Sequence, residues 1–205
     1  MVFLVAGLGN PGERYATTRH NVGAMVVEEL ATRAGAKLRK VRFLPVLAAE
    51  TREGDEHMLL ATSLQFMNES GPAFASLAKR RGVPADHVVA CHDDIDLPFG
   101  ALQVRFGGST AGHHGLDSLV SALRTRDFYR LRLGVGRPPG RVESHPDWLL
   151  EPFPKRLQAD VAVLVAYGAD AVLTLVREGL DAAQERFNRR TAGPANRPAG
   201  GSGRW

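Results

Sequence analysis

Cys91 is the only cysteine in this chain of 205 residues. One thiol closes no internal disulfide and builds no cysteine-rich zinc site, so neither is expected to hold the fold, and a reducing compartment is. Cys91 lies within an apolar run and reads as a core residue. No apolar run reaches transmembrane length, and the opening Met1 to Gly9 lacks the basic flank and small-residue cleavage site of a secretory signal. A cytoplasmic protein with no membrane partner is expected. His-Glu-x-x-His is absent, and so is the Gly-x-Ser-x-Gly elbow that presents a serine nucleophile. Cys91 sits mid-strand and not in an activating loop. Water is therefore the expected nucleophile of any hydrolysis here.

The apolar content of 44% is enough for a real core in a chain of this length. The net charge is a modest +4, but 22 of the 26 basic residues are arginine, the side chain that grips a phosphate with two N–H groups at once. An anionic partner is favoured.

The chain opens as strand, glycine turn, helix: Val2 to Ala6, then Gly7, Gly9 and Gly12, then Asn21 to Ala34 with Val22, Met25, Val26, Leu30 and Ala31 at helical spacing. Val41–Thr51 and His57–Thr62 read as a hairpin around a turn containing Gly54. Phe66 to Gly71 leads into a helix that runs to Gly82, with Pro72 in its first turn. A short strand from His87 to His92 meets the acidic loop Asp93 to Gly100, and Ala101–Phe106 alternates as another strand. A second glycine loop, Gly107 to Gly115, opens onto the helix carrying Leu116, Leu119, Val120 and Leu123. Tyr129–Val135 is a strand with Arg130 and Arg132 on one face, and Gly136 to Ser144 is an arginine-bearing loop. From Pro154 to Asn188 helical spacing dominates, as a helical pair or one broken helix. The expected architecture is α/β: a single-domain three-layer sandwich over residues 1–190, with helices flanking a mixed, mostly parallel sheet. Residues 191–205, rich in Gly, Pro and Arg, are expected to form a disordered basic tail.

Gly7-Leu8-Gly9-Asn10-Pro11-Gly12 matches G-x-G-x-x-G after a strand, which makes a nucleotide-dependent oxidoreductase one reading. Against it, Pro11 lies inside the turn, the helix begins late, and no acidic residue ends a second strand where a ribose-binding carboxylate is needed. The same glycines serve a tight turn or a close approach to a ligand. Strand-to-helix turns of an open α/β sheet collect at one edge, so Asn10, His20, Asn68, Asp93 and the pair His113-His114 can converge. An imidazole backed by a carboxylate takes a proton from water near neutral pH, and carboxamides hold a carbonyl or a peptide. That set suits hydrolysis. Each member also has a structural reading: Asn68 as a helix N-cap, Asp93 as an Asx-turn residue, His92 as the end of a buried strand. His57, His87 and His145 read as surface or packing histidines. The histidine pair with Asp93, Asp94 and Asp96 follows no recognised zinc spacing, so neither metal nor cofactor is expected. Arg105, Arg130, Arg132 and Arg137 lie nearer the cleft than other basic residues, and Arg105 and Arg132 are the phosphate candidates. The runs Lys37/Arg39/Lys40/Arg42 and Lys79/Arg80/Arg81 read as solvated surface.

Four blocks then carry a family resemblance: G-L-G-N-P-G-x-x-Y-x-x-T-R-H-N-V-G over residues 7–23, F-M-N-x-S-G over 66–71, H-D-D-x-D-L-P-x-G over 92–100, and G-H-x-G-L over 112–116. In order and spacing they resemble the bacterial peptidyl-tRNA hydrolases, from about residue 2 to about 188. The resemblance implies a monomeric, cofactor-free hydrolase of the ester joining a peptide to the 3′ ribose of tRNA. It implies His20 as the base that activates water, Asp93 as the group that holds that imidazole, and Asn10 as a discriminator of a blocked amino group. Tyr15, Phe66, Met67 and Asn68 are implied to line the substrate groove. One position departs from the pattern: His114 stands where the family shows an asparagine, and is expected to replace that substrate contact. The competing reading from another class is a non-catalytic tRNA- or RNA-binding relative.

Overall fold

Strand β1 (Val2–Gly7) points Phe3 and Val5 into one hydrophobic core and Leu4 and Ala6 into another, as a strand covered on both faces must. The computed structural model, which describes residues 1–138, 140 and 147–188, extends that alternation across seven strands. These are β1, β2 (Arg39–Lys40), β3 (Val46–Glu53), β4 (Glu56–Ser63), β5 (Val88–Asp94), β6 (Leu102–Phe106) and β7 (Tyr129–Gly134). They lie in the order β2-β3-β4-β1-β5-β7-β6. The four central strands β4, β1, β5 and β7 are mutually parallel, while β2–β3, β3–β4 and β6–β7 are antiparallel. Helices α1 (Val22–Arg33), α4 (Gln158–Glu178) and α5 (Leu180–Phe187) cover one face; α2 (Ser70–Arg81) and α3 (His114–Leu123) cover the other. The expected three-layer sandwich with a mixed sheet is the observed fold.

Several local readings are refined. The strand expected from Val41 begins at Val46, because residues 41–45 form a tight turn in which Leu44 N donates to Val41 O and Phe43 takes a φ of 63°. Asp93 lies inside β5, which runs on through Asp94. Asp94, not Asp93, makes the Asx turn, accepting from Asp96 N at 2.9 Å. Asn68 sits in a 3-10 turn one residue ahead of the α2 cap, so it is not an N-cap. The C-terminal helical region breaks at Gly179, whose φ of 88° ends α4 and starts α5. The residues from Lys155 to Glu178 are long and apolar enough to cross a membrane, contrary to the expectation of no such run. Here Leu164, Val165, Ala169, Val172 and Leu175 of that helix build the core beneath the sheet. His145, most of the loop ending at Ser144 and the tail 191–205 lie outside the described residues.

Parallel strands β4, β1 and β5 bring their carboxyl ends to one edge, and the loops that leave them carry the candidate residues there. Two glycines let α1 press against that edge. A Cβ on Gly23 would lie 2.0 Å from Cys91 O, and one on Gly7 would lie 2.8 Å from Ala24 Cα and Gly23 O. Strand β6 runs the other way, so the loop after it starts at the opposite edge and must climb the face of the sheet to reach α3. Arg130 supports that climb by donating to Ser109 O. At the outer side of β6, α5 and its capping residue Asn188 close the exposed main chain: Asn188 Oδ1 accepts from Val104 N, while Gln184 Nε2 and Asn188 Nδ2 donate to Val104 O.

Candidate active site

A cleft of about 610 Å³ opens at the carboxyl ends of β1, β4 and β5. Of the residues singled out from the sequence, Asn10, Tyr15, His20, Phe66, Met67, Asn68, Asp93 and His114 line it. Arg105 and Arg132 do not; they lie outward, on β6 and β7.

Asp93 is the buried centre. Its Oδ1 accepts from His20 Nδ1 at 2.8 Å and from His113 Nε2 at 3.0 Å. Burial opposes the Asp93 charge, but His113 and His20 outweigh it and hold the carboxyl well below the usual carboxylate range. The two imidazoles differ in what their other nitrogen does. His113 caps α3, and its Nδ1 accepts from Gly115 N at 3.1 Å and Leu116 N at 3.3 Å. That fixes His113 as a neutral Nε2–H tautomer, since a proton on Nδ1 would face two N–H groups. His20 spends Nδ1–H on Asp93, and its Nε2 has no partner among the described residues. The lone pair available for chemistry is therefore on His20.

His20, Asp93 and His113 also form a cluster of metal-ligand type, with ligand atoms within 4.8 Å of one another. A metal on His113 Nε2 would need the proton on Nδ1, against the two main-chain donors already there. The helix cap thus favours a proton over a metal at this position.

Asn10 is fixed from two sides. Its main-chain N donates to Asn21 Oδ1 at 2.9 Å, and its O accepts from Asn21 Nδ2 at 2.8 Å. Its side-chain Oδ1 accepts from Met67 N at 2.8 Å, which leaves Nδ2–H free to donate at the cleft. Phe66 and Tyr15 meet edge to face with centroids 6.4 Å apart on the rim, and the exposed side chains of Asn68 and His114 have no hydrogen bond among the described residues. The far wall is Leu149 and Leu150. Arg19, buried beside His20, holds this wall: its Nη1 donates to Trp148 O at 3.0 Å and Glu151 O at 3.1 Å, and its guanidinium lies 3.5 Å from the Trp148 ring centre. Sequence reasoning missed the roles of His113 and Arg19. Histidine is not among the usual capping residues, so His113 before a helical pattern gave no capping signal, and Arg19 gave none.

The dinucleotide reading fails on geometry. Gly12 is followed by two short 3-10 turns, and α1 starts only at Val22, so no helix N-terminus faces a pyrophosphate at the glycine turn.

Behind the site, His92 donates Nδ1–H to Asp93 O at 2.7 Å, and its Nε2 is buried with no partner among the described residues. Burial pushes its pKa down to about 3. The folded protein therefore refuses a proton that the unfolded chain accepts below about pH 6.5. Stability from this group is complete above that pH and declines as pH falls toward about 3. Urea midpoints across this range are expected to fall less steeply in His92→Gln than in the parent. Parallel curves would remove His92 from the acid limb.

Fold and site together define an α/β protein equipped for hydrolysis by an activated water. Residues 4–195 match the family model described as peptidyl-tRNA hydrolase. The chain is 46% identical over 196 residues to the peptidyl-tRNA hydrolase of Cutibacterium acnes, covering 91% of this chain and 98% of that one. It is 44% identical to that of Arthrobacter sp., covering 91% and 96%. The crystal structure of peptidyl-tRNA hydrolase from Acinetobacter baumannii superposes with a TM-score of 0.84 at 28% identity, covering 92% of this chain and 95% of that one. The chain belongs to the peptidyl-tRNA hydrolase family.

Proposed function

We propose that this chain hydrolyses the ester between a peptide and the 3′ ribose of tRNA, acting as a cytoplasmic monomer through one domain spanning residues 1–190. The observation that carries the proposal is the asymmetry around Asp93: one imidazole is locked by a helix cap, the other keeps a free lone pair at the cleft. His20 Nε2 takes a proton from water as its oxygen attacks the ester carbonyl carbon. Asp93 fixes the tautomer and stabilises the imidazolium that forms. Charge builds on the former carbonyl oxygen, and a carboxamide N–H aimed there favours the transition state over the ground state. Asn10 Nδ2 is free to give that bond, or to hold the peptide amide that marks a blocked amino group. The carbon–oxygen bond to ribose then breaks, and the imidazolium returns its proton to the leaving hydroxyl. The products are a peptide carboxylate and a free tRNA end. Tyr15, Phe66, Met67 and Asn68 line the groove, and His114 makes the substrate contact expected at its position.

Arg105 and Arg132 lie on the flank where a tRNA backbone can pass. Arg132 is already engaged, with Asp94 Oδ2 at 2.7 Å and Gln103 Oε1 at 2.8 Å, whereas among the described residues exposed Arg105 bonds only Gln103, at 3.3 Å. Arg105 is thus the freer phosphate contact. Arg105→Ala is expected to weaken tRNA binding and reduce the salt slope of log K by about one. Filter binding over a salt series measures both, and an unaltered slope removes Arg105 from the interface.

The activity is tested by release of free tRNA from an N-blocked aminoacyl-tRNA. Binding without release would overturn it in favour of a non-catalytic RNA-binding protein.

A further inference from the structure

Two basic runs, 37–42 and 79–81, are brought together by the fold at the far end of the sheet from Arg105. Arg80, in the last turn of α2, donates Nη1–H to Arg42 O at 2.7 Å. Arg39, Lys40, Arg42, Lys79 and Arg80 are exposed, and none has a carboxylate partner among the described residues; Arg81 alone is paired, with Glu50 at 2.6 Å. At the apex stands Phe43, 81% exposed, with the Arg42 guanidinium 4.5 Å from its ring centre.

Neither local structure nor packing accounts for this phenylalanine. It occupies the third position of the turn closed by Leu44 N on Val41 O, with a φ of 63°. That conformation favours glycine or asparagine and disfavours a bulky side chain. Its ring gains almost no burial in return. A strained, exposed aromatic amid unpaired cations has the composition of a stacking platform for unpaired bases: the ring takes a base face and the cations take the flanking phosphates. The platform adjoins the cleft edge. Leu64 N donates to Pro45 O at 2.8 Å, and the same strand end continues through Gln65 to Phe66 on the cleft rim.

We infer that Phe43, with Arg39, Arg42 and Arg80, forms a second RNA-binding face, which takes a looped or single-stranded RNA segment on the side of the cleft opposite Arg105. That the anion is RNA rests in part on the tRNA-directed activity proposed above. Binding and turnover are separable, so a failed hydrolysis assay counts against the activity and leaves a binding result standing.

The full chain is irradiated with a thiouridine-containing uridine oligonucleotide and, separately, with thiouridine-containing tRNA; crosslinked peptides are mapped and affinities taken by fluorescence anisotropy. Crosslinks at Phe43 are expected with at least one RNA, and tRNA crosslinks would make the segment part of the substrate's own body. Phe43→Gly is expected to raise Tm, because the strained φ is relieved, while lowering oligonucleotide affinity about 5- to 150-fold. Opposite movement of stability and affinity is a result that general unfolding cannot produce. Arg42→Gln and Arg80→Gln are each expected to reduce the salt slope by about 0.7. The inference is overturned if Phe43→Gly binds RNA as tightly as the parent with crosslinks confined to the cleft. It is equally overturned if phosphatidylserine vesicles bind this face in a Phe43-dependent manner and RNA does not.

Discussion

Alanine at His20 is expected to slow the release of tRNA from an N-blocked aminoacyl-tRNA by about 10²- to 10⁴-fold, with the far-ultraviolet spectrum and Tm little changed. The rate falls because Nε2 of His20 is the imidazole lone pair left free at the cleft, while His113 has both nitrogens engaged. The fold survives because His20 lies in a short 3-10 turn whose main-chain bonds, including Asn21 N to Thr18 O at 3.1 Å, do not involve the imidazole. Single-turnover rates separate this loss from any change in binding. A variant retaining parental rates would transfer the base to another group and remove the mechanism proposed for this cleft.

Asparagine at Asp93 should be at least as damaging, about 10⁴-fold in rate by analogy with other carboxylate-backed histidine bases, for a different reason. A carboxylate only accepts, so it holds His20 with the proton on Nδ1 and the lone pair on Nε2. Both imidazoles meet the same oxygen, Oδ1, so a carboxamide presents them either its oxygen or its NH₂. With the NH₂ there, it drives His20 to the wrong tautomer and sets an N–H against His113, whose tautomer the helix cap does not allow to change; with the oxygen there, both bonds persist but the charge that stabilises the His20 imidazolium is gone. The Asp93 carboxyl is also held ionised in the fold, so its contribution to stability is present above the ordinary carboxylate range and is lost as pH falls below it. Asp93→Asn should therefore lose rate at every pH and show a shallower acid limb below about pH 4. Rates within tenfold of the parent would show that Asp93 does not set the tautomer.

The sheet and its covering helices were legible because strands of β1 and β5 type are short apolar runs and the helices show clear spacing of Val, Leu and Ala. The convergence of Asn10, His20, Asn68 and Asp93 followed from parallel strands sharing an edge. Strand direction was not legible at β6: nothing in Leu102–Phe106 says that it runs opposite to β7. The loop to His113 therefore read as a turn at the cleft edge, when it climbs the face of the sheet over Arg130. Asp93 read as loop because acidic residues follow it, yet pairing with Leu133 keeps it in β5, fixing its carboxylate more firmly than a loop would. Arg19 lay inside the family block, but its grip on Trp148 and Glu151 spans about 130 positions and leaves no local pattern.

The closure of β6 bears on how this protein behaves when crowded. A sheet edge with free N–H and C=O groups is a template on which another chain can add a strand. At one end, β2 has only two residues, Arg39 and Lys40, too short and too charged to seed such growth. At the other, Asn188 and Gln184 occupy the main chain of Val104 with side-chain amides. The residue that caps α5 is thus a plug against self-assembly, and a chain cut back past Asn188 would leave the Val104 N–H open at that edge.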